Sequence, residues 1–402
     1  MTQQETRASD ARFIRILLGS TVLTKVADWQ LGIVIPLAVL AKTDSVAMSL
    51  VTFALRGVSY FASPFLGSLI DRFDKRRVLV LAQLEQAFCL VLLSAFISSP
   101  LIVGLLVLCS GVGGVASSIN GQFVLIPKLI SEPARATAVA KLNSMIEFSK
   151  VIGLLAGGAV FSAVGPTLAS LSIAVLYLAS AAVAMFFPPV PGSAEKIELR
   201  RDLTLGFRWV ARKDVLWLVI TMSMTNIAIG QLEPAMVTEF GHRGVEVTRI
   251  SILMALGLFA GAVASRLAPK LFVGWQLERR ILAWQVIGVA SLALIAVPST
   301  PLKIIGFMVE CSAVAASNVA SITYRQEMIP VEVAGRANAA IRMFITGAAP
   351  LSGFLFAWAS RFAGYTYWLP SLSIWLTAVG IWAVYARSAG RAAGNIAPVA
   401  VG

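Results

Sequence analysis

The chain has 402 residues, of which 58% are hydrophobic and 13% charged. A soluble domain carries about a quarter charged residues, so this balance excludes an ordinary soluble enzyme or binding module. The formal net charge of +13 would suggest nucleic acid in a soluble protein, but in a chain this apolar the placement of the charges has to be read first.

The leading "MTQQETRASDARFIR" is polar and shows no cleavage site after a short apolar stretch. The first apolar run is too long for a signal peptide, so a retained first helix is expected. Twelve spans are expected, at 13–40, 46–70, 78–97, 101–125, 138–164, 166–187, 214–240, 248–269, 277–297, 300–326, 334–361 and 364–386. A run of about twenty apolar residues crosses a bilayer core of about 30 Å. "SSPL" separates spans three and four, and "VGPT" (164–167) separates five and six. Residues 188–213 hold the longest polar stretch, rich in Pro, Gly and charge. Its second part, "LRRDLTLGFRWVARK", is expected to be an amphipathic surface helix with Leu203, Leu205, Phe207 and Trp209 toward its apolar side.

Six spans lie on each side of that linker, and the halves echo each other. An offset of 199 matches Ile130 to Ile329, Ala138 to Ala337, Ala140 to Ala339 and Gly165 to Gly364. "KRRVL" before span three likewise echoes "ERRIL" before span nine. The common order argues for a duplicated six-helix unit. The expected division is 1–187, a linker at 188–213, and 214–402. With both termini and the linker on one face, 25 of the 33 Lys and Arg residues fall on that face. This bias places the termini in the cytoplasm, makes the net charge an orientation signal, and leaves no role for nucleic acid.

"GSLIDRFDKRRVL" (67–79) joins spans two and three. It resembles the signature loop of the major facilitator superfamily, with Gly67, Leu69, Asp71, Arg72, Lys75 and Arg76 in matching positions and Asp74 in place of a glycine. The resemblance implies an all-α membrane protein of twelve transmembrane helices in two pseudo-symmetric six-helix bundles. It also implies that Gly67 permits close packing and that Asp71 pairs with the opposite half as a conformational switch. In span five, Gly153, Gly157 and Gly158 resemble the glycine motif of antiporter branches, although Leu154 stands where proline is usual. Pro350 and Gly353 form a comparable arrangement in span eleven. Such glycines let backbones approach closely, and proline kinks a helix. The stretches before spans five, seven and eleven resemble the efflux branch that includes macrolide-efflux pumps and the enterobactin exporter.

Ionisable side chains inside a membrane mark pathways or relays. Lys25 and Asp28 share a face of span one at i, i+3, with Asp28 near mid-membrane. Arg56 lies in span two, Glu85 in three, Glu147 and Lys150 in five, Glu233 and Glu239 in seven and Glu310 in ten. The resemblance makes spans one, four, seven and ten the cavity lining, so Asp28 and Glu310 are the leading proton or substrate sites. Lys25 and Arg56 suit an anionic cargo, Glu233 an outer gate, and Glu147 with Lys150 a structural pair. Glu85 is expected to anchor a loop, and Glu239 to be solvated. Asn120, Gln122, Asn226, Gln231 and Asn318 add donors and acceptors, while Trp29 and Phe123 offer apolar or cation–π surface.

Cys89, Cys109 and Cys311 lie in apolar runs without metal-ligand spacing, and His242 is the one histidine. No resident metal, no cofactor and no enzymatic activity are expected, and no ATP-binding loop is present. The expected function is a proton-coupled secondary exporter, an antiporter working by alternating access as a monomer in the bacterial inner membrane. Its cargo is a small polar or amphipathic molecule, a siderophore-like chelator ahead of drugs. Multidrug or macrolide efflux is an alternative. Export of a divalent metal ion, as by ferroportin-type proteins, is a second, since the "VADWQ" aspartate resembles theirs. Uptake is a third.

Overall fold

A computed structural model describes residues 3–120, 125–192, 199–363 and 368–394. Within those ranges a few side chains, including those of Asp71, Leu203 and Arg336, lie outside the description. Gln122 and Phe123 also lie outside the described residues.

The described residues are helical, in the order α1 (Gln3–Thr43), α2 (Val46–Val58), α3 (Ser63–Asp71), α4 (Lys75–Ala95), α5 (Pro100–Ile119), α6 (Leu125–Leu129), α7 (Glu132–Ala184), α8 (Leu199–Val210), α9 (Lys213–Ile229), α10 (Leu232–His242), α11 (Val247–Leu267), α12 (Leu277–Ala296), α13 (Thr300–Met328), α14 (Val331–Gly347), α15 (Ala349–Ala363) and α16 (Trp368–Gly394). Among the described residues, eleven helical stretches are long and apolar enough to span a membrane. One of them, Lys141–Ala184, holds two passes, because α7 breaks at Gly165 (φ +75°, ψ 176°) just before Pro166. Glycine tolerates that left-handed φ and the following proline cannot continue the hydrogen-bond ladder. The turn expected at 164–167 is therefore real, and the chain makes twelve passes.

Local chemistry starts the helices. The Ser45 side chain accepts from the N–H of Met48 at the head of α2, and Asp74 accepts from the N–H of Arg77 at 2.9 Å at the head of α4. Asp74, the departure from the signature loop, is thus an N-cap. Pro100, Pro133 and Pro301 sit in first turns, where their missing N–H costs nothing. α7 and α14 begin 199 residues apart, the offset of the sequence echo.

Among the described residues, three spans are discontinuous. Span two passes through a 3₁₀ turn at Ser59–Ala62 between α2 and α3. Span seven breaks at Gly230–Gln231 between α9 and α10, and span eleven at Ala348 between α14 and α15. The break at Gly230 is also a contact point, since a Cβ there would come within 2.7 Å of the Ala349 backbone.

The two halves meet most tightly at the end of the bundle away from the termini. There Ile33, Leu37, Leu40 and Leu50 form one buried cluster with Leu232, Met236, Phe240 and Ile250. Ser49 and Thr238 hydroxyls lie 3.1 Å apart, and Thr248 donates to Ser162 at 3.0 Å. Near the termini the apolar clusters stay within one half each. The described cross-half hydrogen bonds there come from arginines, Arg342 to Ser118 at 3.0 Å and Arg266 to Ser144 at 3.3 Å. In lipid, packing rather than water release holds helices together, so small side chains at crossings decide where the halves touch.

Two expectations about individual charges fail. Glu239 is 1% exposed and bound to Arg243 at 2.5 Å, with Lys303 at 3.4 Å. It is buried because α10 turns it onto α13 rather than to solvent. Glu85 is no loop anchor. It sits mid-helix in α4, where it accepts from Cys89 Sγ at 3.3 Å, and its carboxylate fills the space beside Gly113.

Candidate substrate cavity

Asp28 is the centre of a buried polar cluster. Lys25 Nζ lies 2.7 Å from Oδ2, one helical turn away on α1. Arg56, at the end of α2, lies 2.5 Å from Oδ1, and Tyr177, from the second arm of α7, donates to the same oxygen at 2.8 Å. Arg56 also donates to Ser110 on α5 (3.1 Å) and to Gln86 on α4 (3.3 Å). Five helical segments of one half are thus tied to a single carboxylate. Glycines make room for it: a Cβ at Gly111 would meet the Arg56 carbonyl at 2.3 Å, and one at Gly114 would meet its guanidinium at 3.2 Å. Burying ions is costly unless their partners are well placed, and this carboxylate is bonded on both oxygens.

These groups form one wall of a cavity of about 540 Å³ between the halves, in the usual size range for small-molecule sites. The other half contributes Glu310 from α13 and Glu233 with Gln231 from the α9–α10 break. Glu310 is 5% exposed. Oε1 of Glu233 and Oε1 of Gln231 are buried and have no hydrogen-bond partner. Glu233 reaches across to α1, for a Cβ on Gly32 would stand 3.1 Å from its Oε1. Trp29, Phe53, Leu258 and Phe307 supply apolar surface. Lys150 also lines the cavity, 2.7 Å from Glu147 and 5.5 Å over the Trp29 ring.

Asp28, Lys25, Arg56, Glu310, Glu233 and Lys150 are therefore brought to one space. Asn120 is not: it is fully buried and its amide donates to the Lys75 carbonyl, bracing α4 against the end of α5. Asn226 donates to the Ile345 carbonyl at 2.9 Å, clear of the cavity. Asn318 is exposed, two turns from Cys311 along α13. Tyr177, Gln86 and Arg342 were not singled out by sequence reasoning. Arg342 lines the cavity and lies 5.4 Å over the Tyr60 ring. A lone tyrosine in the otherwise apolar "SIAVLYLAS" was the one available signal for Tyr177.

The described hydrogen bonds of Lys75 and Arg76 in the 67–79 loop run to their own half, while α3 also packs on α14 of the other half. Lys75 is fully buried, with Nζ donating to the Ile70 carbonyl and its N–H to the Val190 carbonyl. Arg76 donates to the Phe187 carbonyl at 3.3 Å, while Arg72 is exposed. Gly67 has nothing within 4 Å of an added Cβ, so no close packing depends on it there, contrary to expectation. The other glycines are close-contact points. A Cβ on Gly153 would meet Trp29 and Val26 of α1 at 2.7 Å, one on Gly157 would meet Gln30 at 3.0 Å, and one on Gly158 would meet Ser251 of the opposite half at 2.2 Å. Pro350 packs on Gly57, and Gly353 on Ala54.

The sequence profile of the Major Facilitator Superfamily matches residues 17–353. The chain belongs to that superfamily. It is a multi-pass membrane transporter by family and fold. No curated protein matches it significantly. Among solved structures it is similar to a bacterial homologue of the iron transporter ferroportin in its inward-facing state, at a TM-score of 0.73 with 16% identity over 94% of this chain and 99% of that one. It is also similar to the nucleoside transporter NupG (0.73, 13%, 93% and 97%) and to a POT family transporter in complex with 5-aminolevulinic acid (0.75, 12%, 94% and 96%). These likenesses establish the shared fold. Among the described residues no three His, Cys, Asp or Glu side chains gather as a metal site.

Proposed function

We propose that this superfamily member is a proton-coupled secondary exporter of a small polar or amphipathic molecule bearing an anionic group. In this reading it lies in a bacterial inner membrane as a monomer with both termini in the cytoplasm. The six-helix units, 1–187 and 214–402, rock about the cavity, joined by the linker at 188–213.

The observation that carries the reading is the pairing of two unlike walls. Two cations share Asp28 on one wall, and Glu233 and Glu310 face them without an ion-pair partner among those described. Buried carboxyl groups that lack a fixed counter-ion are suited to taking and releasing protons, and a wall with cations in excess attracts an anion. The seal at the end away from the termini supports a state open toward the terminal face, the face from which an exporter loads.

Siderophore-like chelators fit this better than cationic drugs, because their carboxylates complement Lys25 and Arg56. Direct binding of a divalent metal ion is less well supported, since both oxygens of Asp28 are already held by Lys25, Arg56 and Tyr177.

The test is mass spectrometry of spent medium from cells with and without the chain, before and after a protonophore. Compounds that accumulate outside only with the chain, and only with an intact proton gradient, are expected. Identical media, or export indifferent to the protonophore, would sink this reading.

A further inference from the structure

The two walls carry different chemistry at a spacing that one small molecule can bridge. On α1, Asp28 and Gly32 lie one turn apart on the same face. The carboxylate of Glu233 rests against Gly32, so the acidic pole touches α1 about 6 Å along the axis from Asp28 in the Lys25–Asp28–Arg56 cluster. That cluster holds two cations against one carboxylate. Glu85 is the other acid beside Arg56, but its carboxylate is turned to Cys89 and Gly113 and is not part of the cavity wall. On the acidic side, the buried Oε1 atoms of Glu233 and Gln231 accept no hydrogen bond, and Glu310 lines the same space. Orphaned buried acceptors are costly and fit a ligand that brings donors. The rings of Trp29, Phe53 and Phe307 lie among these polar groups.

We infer that the cargo is dipolar: a compact amino-carboxylate whose carboxylate docks at Lys25 and Arg56 and whose amino group docks at Glu233 and Glu310. A cargo with an anionic group alone leaves the acceptors of Glu233 and Gln231 unmet and faces two carboxylates, the other lining cations being engaged elsewhere, Lys150 with Glu147 and Arg342 with Ser118. A cargo with a cationic group alone faces the surplus charge of Lys25 and Arg56. Protons and the amino group compete for the same carboxylates, so loading of one displaces the other, as exchange requires.

This inference rests on the export reading, and its test separates the two. Compounds whose level in spent medium depends on the chain are treated with an amine-reactive sulfonyl chloride and, separately, with acidic methanol, which esterifies carboxylates. Each compound is expected to shift in mass with both reagents. The combined Glu233→Gln and Glu310→Gln variant, shown to be intact by monodisperse elution in detergent, is expected to export them at least tenfold more slowly. Dependent compounds that react with one reagent alone, or a double variant exporting at the wild-type rate, overturn the dipolar assignment and leave export standing. A medium with no dependent compound overturns the export reading and this inference with it.

Discussion

Arg56 and Asp28, 28 residues apart in the chain, meet at 2.5 Å inside the bundle, and Lys25 holds the other oxygen of the same carboxylate at 2.7 Å. One acid thus anchors α1 to α2 and, through Tyr177, to the second arm of α7. The first prediction follows from that sharing. Asp28→Asn removes the one charge that offsets two buried cations, and breaking such a pair costs about 3–5 kcal/mol. Proton-driven transport is expected to be lost while the protein is still extracted as a monodisperse species at reduced thermal stability. Wild-type transport in this variant would remove Asp28 from the mechanism.

Tyr177 is the partner least visible beforehand. Tyr177→Phe deletes two hydrogen bonds to charged groups, one donated to Asp28 at 2.8 Å and one accepted from Arg56 at 3.2 Å, each worth about 1.5–3 kcal/mol, without changing the ring. A double-mutant cycle with Arg56→Gln is expected to show coupling of about 0.5–3 kcal/mol in thermal unfolding. Strict additivity would mean that the two act separately.

The hydroxyls of Ser49 and Thr238 lie 3.1 Å apart across the interface, close enough for cysteines to bridge if their Cβ atoms come to about 4 Å. In a background with Cys89, Cys109 and Cys311 replaced by Ala, Ser49→Cys with Thr238→Cys is expected to cross-link on mild oxidation. Transport should stop and return with reductant. Transport that continues in the oxidised protein would show that this end does not open.

Gly158 touches Ser251 of the other half so closely that any side chain must push it away. Gly158→Leu is expected to weaken the seal. A reporter cysteine at Thr248, labelled by a membrane-impermeant maleimide in the same cysteine-free background, should react several-fold faster than in the parent. Unchanged labelling would show that the contact does not hold the halves together.

Gln285 is a fully used polar hub in the second half. It accepts from Thr225 at 2.9 Å and Trp375 at 2.5 Å and donates to Ser317 at 3.0 Å. Gln285→Leu orphans buried donors, at about 1–3 kcal/mol. Thermal stability should fall while the cargo affinity of the folded protein stays unchanged, since Gln285 does not line the cavity. A loss of affinity at unchanged stability would contradict this.

The sequence by itself determined the passes, the internal duplication and the i, i+3 pairs, because these follow from hydropathy runs and from spacing along one helix. Lys25 with Asp28 and Glu147 with Lys150 were legible for that reason, as was the turn at Gly165. What only the tertiary structure decided were meetings between distant segments. Asn120 read as a cavity amide, and Glu239 as a solvated charge, until the fold gave them the Lys75 carbonyl and the pair Arg243 and Lys303 as partners. Gly67 matched a packing motif but faces open space, whereas Gly111, Gly114 and Gly158 matter through neighbours named nowhere near them in the chain. Whether a small residue is a gap, or a buried acid is paired or orphaned, depends on which helix lies across from it. That is settled when twelve helices choose their contacts, and no local pattern encodes it.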